Sequence, residues 1–169
     1  MATAHLIHGY LGAGKTTFAK RLEQDLPAVR FSHDEWMSRL YGDDPPADRF
    51  AIQHDRVWDL MAGVGMRCLD LGMDVVLDMG FWSRSQRDHV RDRITAAGAA
   101  CRLYQLACPD DEAWARVEAR NHDLGGSLLI TRNTFEVLKR RFEPLADDEA
   151  RIVISASGGP SGERASPTR

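Results

Sequence analysis

Short apolar runs alternate with longer amphipathic stretches along the whole chain. "AHLIH" (4–8) predicts a buried strand, and "KTTFAKRLEQDL" predicts a helix with Phe18, Leu22 and Leu26 on one face. "AVRFS" (28–32) predicts a second strand, and Ser32 with Glu35 is the capping-box signature of a short helix running to Leu40. "YGDDPPAD" is a loop. A long helix is expected from about Arg49 to Leu71, weakened in its middle by Gly63 and Gly65. "DVVLDMGFW" (74–82) is the most apolar strand, and Ser83 with Gln86 caps a helix that ends near Ala97 and Gly98. "CRLYQLA" is a fourth strand, and Pro109 with "DDE" opens a helix to about Arg120. "NHDLGGSLLI" interrupts the pattern, "TRNTFEVLKRRF" resumes it as a helix, and "RIVISA" is a last strand. The segment 156–169, rich in Gly, Ser and Pro, is expected to be a disordered tail to a domain spanning 1–155.

Strands alternating with helices predict an α/β fold, a parallel sheet covered on both faces with ligands at the carboxyl ends of its strands. The first strand leads into "GYLGAGKTT". Gly9, Gly14, Lys15 and Thr16 fit the pattern G-x-x-x-x-G-K-[ST], with Gly12, Ala13 and Thr17 around them. Glycines let the backbone turn its N–H groups onto phosphate oxygens, and the following helix points its positive end at the same anion. Lys15 adds a point charge for the β and γ phosphates, and the Thr16 hydroxyl is placed to ligate Mg²⁺.

The other candidate residues follow strand ends. Asp34, two residues past the second strand, is either an acidic residue favoured by a helix dipole or a carboxylate that takes a proton from an acceptor hydroxyl. Asp78 closes "VVLD", the usual place for the acid that holds Mg²⁺, although a satisfied buried Asp would read the same way. Arg116 and Arg120, with Glu112 before them, form either a solvated i,i+4 ladder or part of a lid with Gly125 and Gly126, whose arginines face the transferring phosphoryl group. Arg84 is either a phosphate or acceptor contact at the third strand's end or a surface helix residue. Trp36, Arg39 and Trp82 are candidates for an acceptor pocket.

The chain has 169 residues, a length that suits one domain, and a net charge of −3, so nothing marks a nucleic-acid or membrane surface. Its three cysteines (Cys68, Cys101, Cys108) have no metal-ligand spacing. With no leader pattern, they are expected to be reduced thiols in a cytoplasmic protein. No run is apolar enough to span a membrane. The six histidines are scattered in sequence, and none forms a recognisable nucleophile or metal motif; His8 reads as structural.

Taken in order, "GYLGAGKTT", "SHDEW", "VVLDMGFWSRSQR", "WARVEARN" and "TFEVLKRRFEPLADDE" resemble the zeta-toxin/chloramphenicol-phosphotransferase-like P-loop kinases over roughly residues 4–155. That resemblance implies a five-stranded parallel sheet in the order 2-3-1-4-5 with a small lid, and ATP with Mg²⁺. By position it makes Lys15 and Thr16 the phosphate and magnesium residues, Asp34 the acceptor-activating carboxylate and Arg120 a lid arginine, with Phe142 to Pro144 near the adenine. Polynucleotide kinases of similar shape carry an arginine three residues after the activating Asp; here that residue is Met37 and the nearest arginine is Arg39. "GYLGAGKTT" is also close to the cradle of the metal-chaperone GTPases, but their cysteine cluster and the guanine-reading N-K-x-D are both missing. The expected activity is transfer of the γ-phosphoryl group of ATP to a hydroxyl of a small molecule. The alternatives are a polynucleotide 5′-hydroxyl kinase and a nucleotide-dependent switch without transferase activity.

Overall fold

In the computed structural model, residues 1–125 and 127–154 are described in full, and 160–164 by their backbone. Five parallel strands form the sheet in the order β2-β3-β1-β4-β5: β1 (Thr3–His8), β2 (Ala28–Ser32), β3 (Asp74–Gly80), β4 (Ala100–Leu106) and β5 (Arg151–Ile154). β1 is central, its Leu6 in register with Leu77 on one side and Leu103 on the other. The expected order therefore holds. A sixth strand, β6 (Pro160–Arg164), pairs antiparallel with β5. It lies within the segment 156–169 and pairs with the N–H and C=O groups that β5 presents at its outer edge. The remainder of that segment, 155–159 and 165–169, lies outside the described residues, as does Gly126.

The period-2 pattern of β1 decides which side chain enters which layer. Ala4 and Leu6 join Phe31, Val75, Leu77 and Leu103 in one core. That layer is completed by Met37 from α2 (His33–Tyr41), Val57 and Met61 from α3 (Ala47–Asp70), and Val90 and Ile94 from α4 (Arg84–Ala96). Ile7 faces the other way, packing with Val76, Tyr104 and Ile154 against Phe18 and Ala19 of α1 (Lys15–Asp25). A third cluster joins Tyr10 and Leu11 to Ala113 and Val117 of α5 (Asp110–Arg120) and to Phe135 of α6 (Arg132–Lys139).

Two local expectations change. Ser32 precedes α2 but its hydroxyl makes no cap; it turns instead to Asp78 Oδ2 at 3.4 Å, while Glu35 pairs with Arg30 and Lys20. α3 starts earlier than expected and runs unbroken through Gly63 and Gly65, with Gly65 buried against Leu77 and Phe31. The Ser83–Gln86 capping box forms as read. Among the described residues no helix is long and apolar enough to cross a membrane, and all three cysteines are free.

Candidate active site

The loop between β1 and α1 is built around two close approaches. A Cβ at Gly9 would lie 2.8 Å from the Leu106 carbonyl oxygen at the end of β4, and one at Gly12 would lie 2.2 Å from that of Ala113 in α5. Gly12 (φ 76°) and Gly14 (φ 90°) also take the left-handed conformation that a side chain disfavours. The loop thus rests on β4 and α5, with its N–H groups delivered to the start of α1. Ala13 packs on Phe18 and Ile7 behind it, and Thr17 is exposed on the first turn.

Lys15 opens α1, half-buried, and its Nζ donates to the Tyr10 carbonyl at 3.0 Å. Burial lowers its pKa, and the carboxylates of Asp78 and Asp34 pull it back up. The Thr16 hydroxyl donates to Asp78 Oδ2 at 2.7 Å. Burial raises the Asp78 pKa, with Asp34 adding to the rise and Lys15 and Thr16 opposing it. Asp34 lies on the first turn of α2 with 41% of its side chain exposed, so an incoming hydroxyl can reach it. Burial opposes its ionisation, but the neighbouring His33, then Lys15 and Arg120, hold its pKa below the ordinary carboxylate value.

Arg120 comes from the last turn of α5, and its charge acts on both Lys15 and Asp34. Its Nε and Nη2 are buried and meet no hydrogen-bond partner among the described residues. An unpaired buried guanidinium is costly unless an anion completes it. Arg116, one turn earlier, behaves differently: it is exposed, donates weakly to the Gly12 carbonyl at 3.4 Å and pairs with Glu112 at 3.5 Å. It is the ladder residue that also steadies the loop. Between α5 and α6 the chain forms a strap, described except at Gly126. The Asn121 amide donates to the Ile130 carbonyl at 2.8 Å and accepts from the Ile130 N–H at 3.2 Å, closing the strap's base. Leu128 inserts into the main core, and the Leu129 N–H donates to the Asp43 carbonyl between α2 and α3.

The acceptor candidates separate. Trp36 packs on Phe31 beside Asp34, with ring centroids 6.1 Å apart, and Arg39 is exposed at the end of the same helix. Trp82 instead donates to the Gly9 carbonyl at 3.3 Å and packs on Tyr10 and Phe142, so it buttresses the loop from below. Arg84 spends its guanidinium on Asp88 and, in a two-pronged pair, on Asp148. Pro144 lines a cleft of about 120 Å³ with His8, Tyr10, Gln105, Lys139 and Phe142. Met37 is wholly buried in the core.

Sequence reasoning missed three features. Arg87 and Glu149, both buried, form a bidentate pair at 2.7 and 2.8 Å, and Arg87 Nη1 also donates to the carbonyls of Phe81, Trp82 and Glu143. Only their separate appearance in "SRSQR" and "EPLADDE" could have signalled it. The Phe81 carbonyl also accepts from His8 Nδ1 at 3.1 Å; Phe81 itself has φ 48°, a strained value for a residue with a side chain. Burial, then the Arg87 charge, lowers the pKa of His8 to about 4. The third feature is a histidine pair behind Asp34.

The oxygen donors of Thr16 and Asp78 suit Mg²⁺, which takes few protein ligands and completes its shell from water and phosphate. Among the described residues no cluster of three or more His, Cys, Asp or Glu could hold a metal ion.

The fold has counterparts among solved structures. A sugar kinase from Janibacter sp. HTCC2649 superimposes with a TM-score of 0.64 at 17% identity, covering 91% of this chain and 85% of that one. The APS kinase CysC of Mycobacterium tuberculosis, solved with AMPPNP and APS, gives 0.55 at 17% identity over 72% and 71%. A chain of the Pnkp1/Rnl/Hen1 RNA repair complex gives 0.66 at 19% identity over 84% of this chain and 46% of that one. At these identities the likeness is one of fold. No curated protein matches the sequence significantly. The AAA domain family AAA_33 matches residues 5–145, most of the sheet and the whole of the site, and the chain belongs to that family, with the P-loop kinase-like fold its kinase neighbours share.

Proposed function

We propose that the chain is an ATP-dependent phosphotransferase that moves the γ-phosphoryl group to a hydroxyl of a small molecule, within one domain spanning 1–155. The observation that carries this reading is the meeting of Lys15, Asp34 and Arg120, from three helices, at the glycine loop, with two guanidinium nitrogens of Arg120 buried and unpaired. A binding module has no need of a carboxylate held ionised opposite two cations. The loop N–H groups and Lys15 hold the triphosphate, and Thr16 and Asp78 would hold Mg²⁺, which supplies charge neutralisation between the β and γ phosphates. Asp34 orients the acceptor hydroxyl and receives its proton. The new bond forms from that oxygen to the γ phosphorus, and the bond to the bridging oxygen of the departing ADP breaks. Arg120 stabilises the charge spread over the transferring group. Trp36 and Arg39 stand on the helix that carries Asp34 and are the proposed acceptor contacts; Arg84 and Trp82 are occupied elsewhere.

Within the family, "SHDEW" and the residues around Arg120 favour kinship with the zeta-toxin/chloramphenicol-phosphotransferase-like kinases. A polynucleotide end is disfavoured as acceptor, because Met37 packs into the core and the chain carries a net charge of −3. The test follows ³²P from [γ-³²P]ATP into a pool of metabolites and antibiotics, beside a 5′-hydroxyl oligonucleotide. Asp34→Asn is expected to keep nucleotide affinity and lose most of the transfer. Label on the oligonucleotide would move the acceptor class to nucleic acid. Label released only as free phosphate, equally in both proteins, would remove the transferase reading.

A further inference from the structure

α3 turns one face to the core, through Val57, Met61, Ala62, Cys68 and Leu69. Its outward face runs through Ile52, Arg56, Asp59, Gly63, Arg67 and Asp70, all exposed, with Leu60 and Val64 along its margin. Two features of this face have no cause within the chain. Gly63 stands in the interior of a 24-residue helix, where glycine lowers stability, yet a Cβ built there would meet nothing within 4 Å. Gly65 differs, because it has Leu77 and Phe31 as neighbours. The second feature is the order of charges. Arg56 and Asp70 lie seven residues either side of Gly63, and Asp59 and Arg67 lie four either side. Offsets of four and seven return to one face of a helix. Each arginine also has an aspartate three positions on, but among the described residues none of these four side chains forms an ion pair.

Such a row is complementary to itself. A two-fold axis through Gly63, perpendicular to the helix, sets a second α3 antiparallel to the first. Arg56 then faces Asp70 of the second copy, Asp59 faces Arg67 of the second copy, and the symmetry repeats both pairs. A parallel copy in register would set Arg on Arg and Asp on Asp. At the crossing point two glycines meet, and their missing side chains let the backbones approach. Leu60, 54% exposed, and Val64, 40% exposed, flank that point and are covered by the second helix. We propose that the outward face of α3 is a homodimer interface, an antiparallel helix pair centred on Gly63. The close approach and the apolar flanks supply the affinity. The exposed ion pairs, individually weak, set direction and register. At 1.5 Å per residue the helix is about 36 Å long, and one face of it makes a small interface. The dissociation constant is therefore expected to be on the order of 1–100 μM. The proposal is independent of the phosphotransferase reading.

Sedimentation velocity on the full chain, from about 1 to 500 μM, tests this. The protein is expected to pass from monomer to dimer across that range. Gly63→Gln puts a side chain at the crossing point while suiting a helix, so it should weaken the dimer about 10-fold or more and leave the far-UV circular dichroism and melting temperature of the dilute protein unchanged or raised. Arg56→Asp and Asp70→Arg, each alone, set like charges together twice in every dimer and should each weaken it about 10-fold or more. Mixed in equal amounts, the two variants should associate with each other about as tightly as the wild type does, because every charge then meets its opposite. That rescue distinguishes a direct contact from a folding defect. A monomer at every concentration would overturn the proposal and leave the face to a different protein or to solvent. A dimer indifferent to Gly63→Gln and to both charge reversals would overturn it as well, since the copies would then meet through another surface.

Discussion

At the scale of single residues, the informative side chains are those whose surroundings do not suit them. Arg120 buries two guanidinium nitrogens without partners, an arrangement that lowers stability until an anion arrives. Arg120→Met is therefore expected to leave the melting temperature unchanged or raise it, while transfer falls by roughly 10²- to 10³-fold. Thermal melts run beside label transfer check both halves; a destabilised variant with intact transfer would make Arg120 structural. Arg116 and Arg120 read alike in the sequence as members of one i,i+4 ladder. The fold separated them, because one points along the exposed face to Glu112 and the other turns inward beside Lys15 and Asp34.

At the scale of elements, the segment between α6 and β5 is held to the start of α4 by the buried Arg87–Glu149 pair and, nearer the surface, by Arg84 with Asp148. Glu149 takes Arg87 in two hydrogen bonds and accepts a third from the Ala146 N–H at 3.0 Å. Arg87 in turn gathers the carbonyls that end β3. Glu149→Gln leaves that guanidinium buried without its counter-charge and is expected to cost about 3–5 kcal/mol. Urea denaturation should show the midpoint fall at unchanged slope. A change below about 1 kcal/mol would mean that the carbonyls alone satisfy Arg87. The chain turns at Gly80 and Phe81, both with positive φ, just before the carbonyls that Arg87 gathers, and Trp82 then donates to the Gly9 carbonyl of the glycine loop. The glycine loop therefore rests on a contact made about seventy residues later in sequence than itself.

At the scale of the whole molecule, the buried titratable groups set an acid limit. Burial and Arg87 hold His8 at about 4 in the folded state, against 6.5 for the free side chain, and burial also lowers His5. Below 6.5 the unfolded chain thus binds protons that the folded chain refuses, and stability falls as pH drops from about 6.5 to 4. Glu149 then takes over: burial alone would raise its pKa, but the hydrogen bonds from Arg87 hold it at about 2 against 4.5. Its contribution is lost as pH falls from about 4.5 to 2. Denaturation at pH 7, 5 and 3 should show successive losses, the first reduced in His8→Phe. A flat response between pH 7 and 4 would mean that His8 is charged in the folded state.

The amino-acid order by itself determined the layered α/β plan and the cradle, because both depend on short-range rules. Alternating apolar runs select strand or helix, and G-x-x-x-x-G-K-T encodes its own backbone geometry. Asp34 and Asp78 were legible as candidates for the same reason, since one follows the end of β2 and the other lies near the carboxyl end of β3. Only the tertiary structure decided that Ser32 serves Asp78 and not its own helix, that Arg84 and Trp82 are engaged elsewhere, and that Arg87 meets Glu149. It also decided that His33 and His54, twenty-one residues apart, stand together behind Asp34. Those choices hang on which partner across the fold satisfies a buried charge or hydrogen bond. No local pattern records them, because the partner is supplied by packing between distant segments and not by the neighbours in sequence.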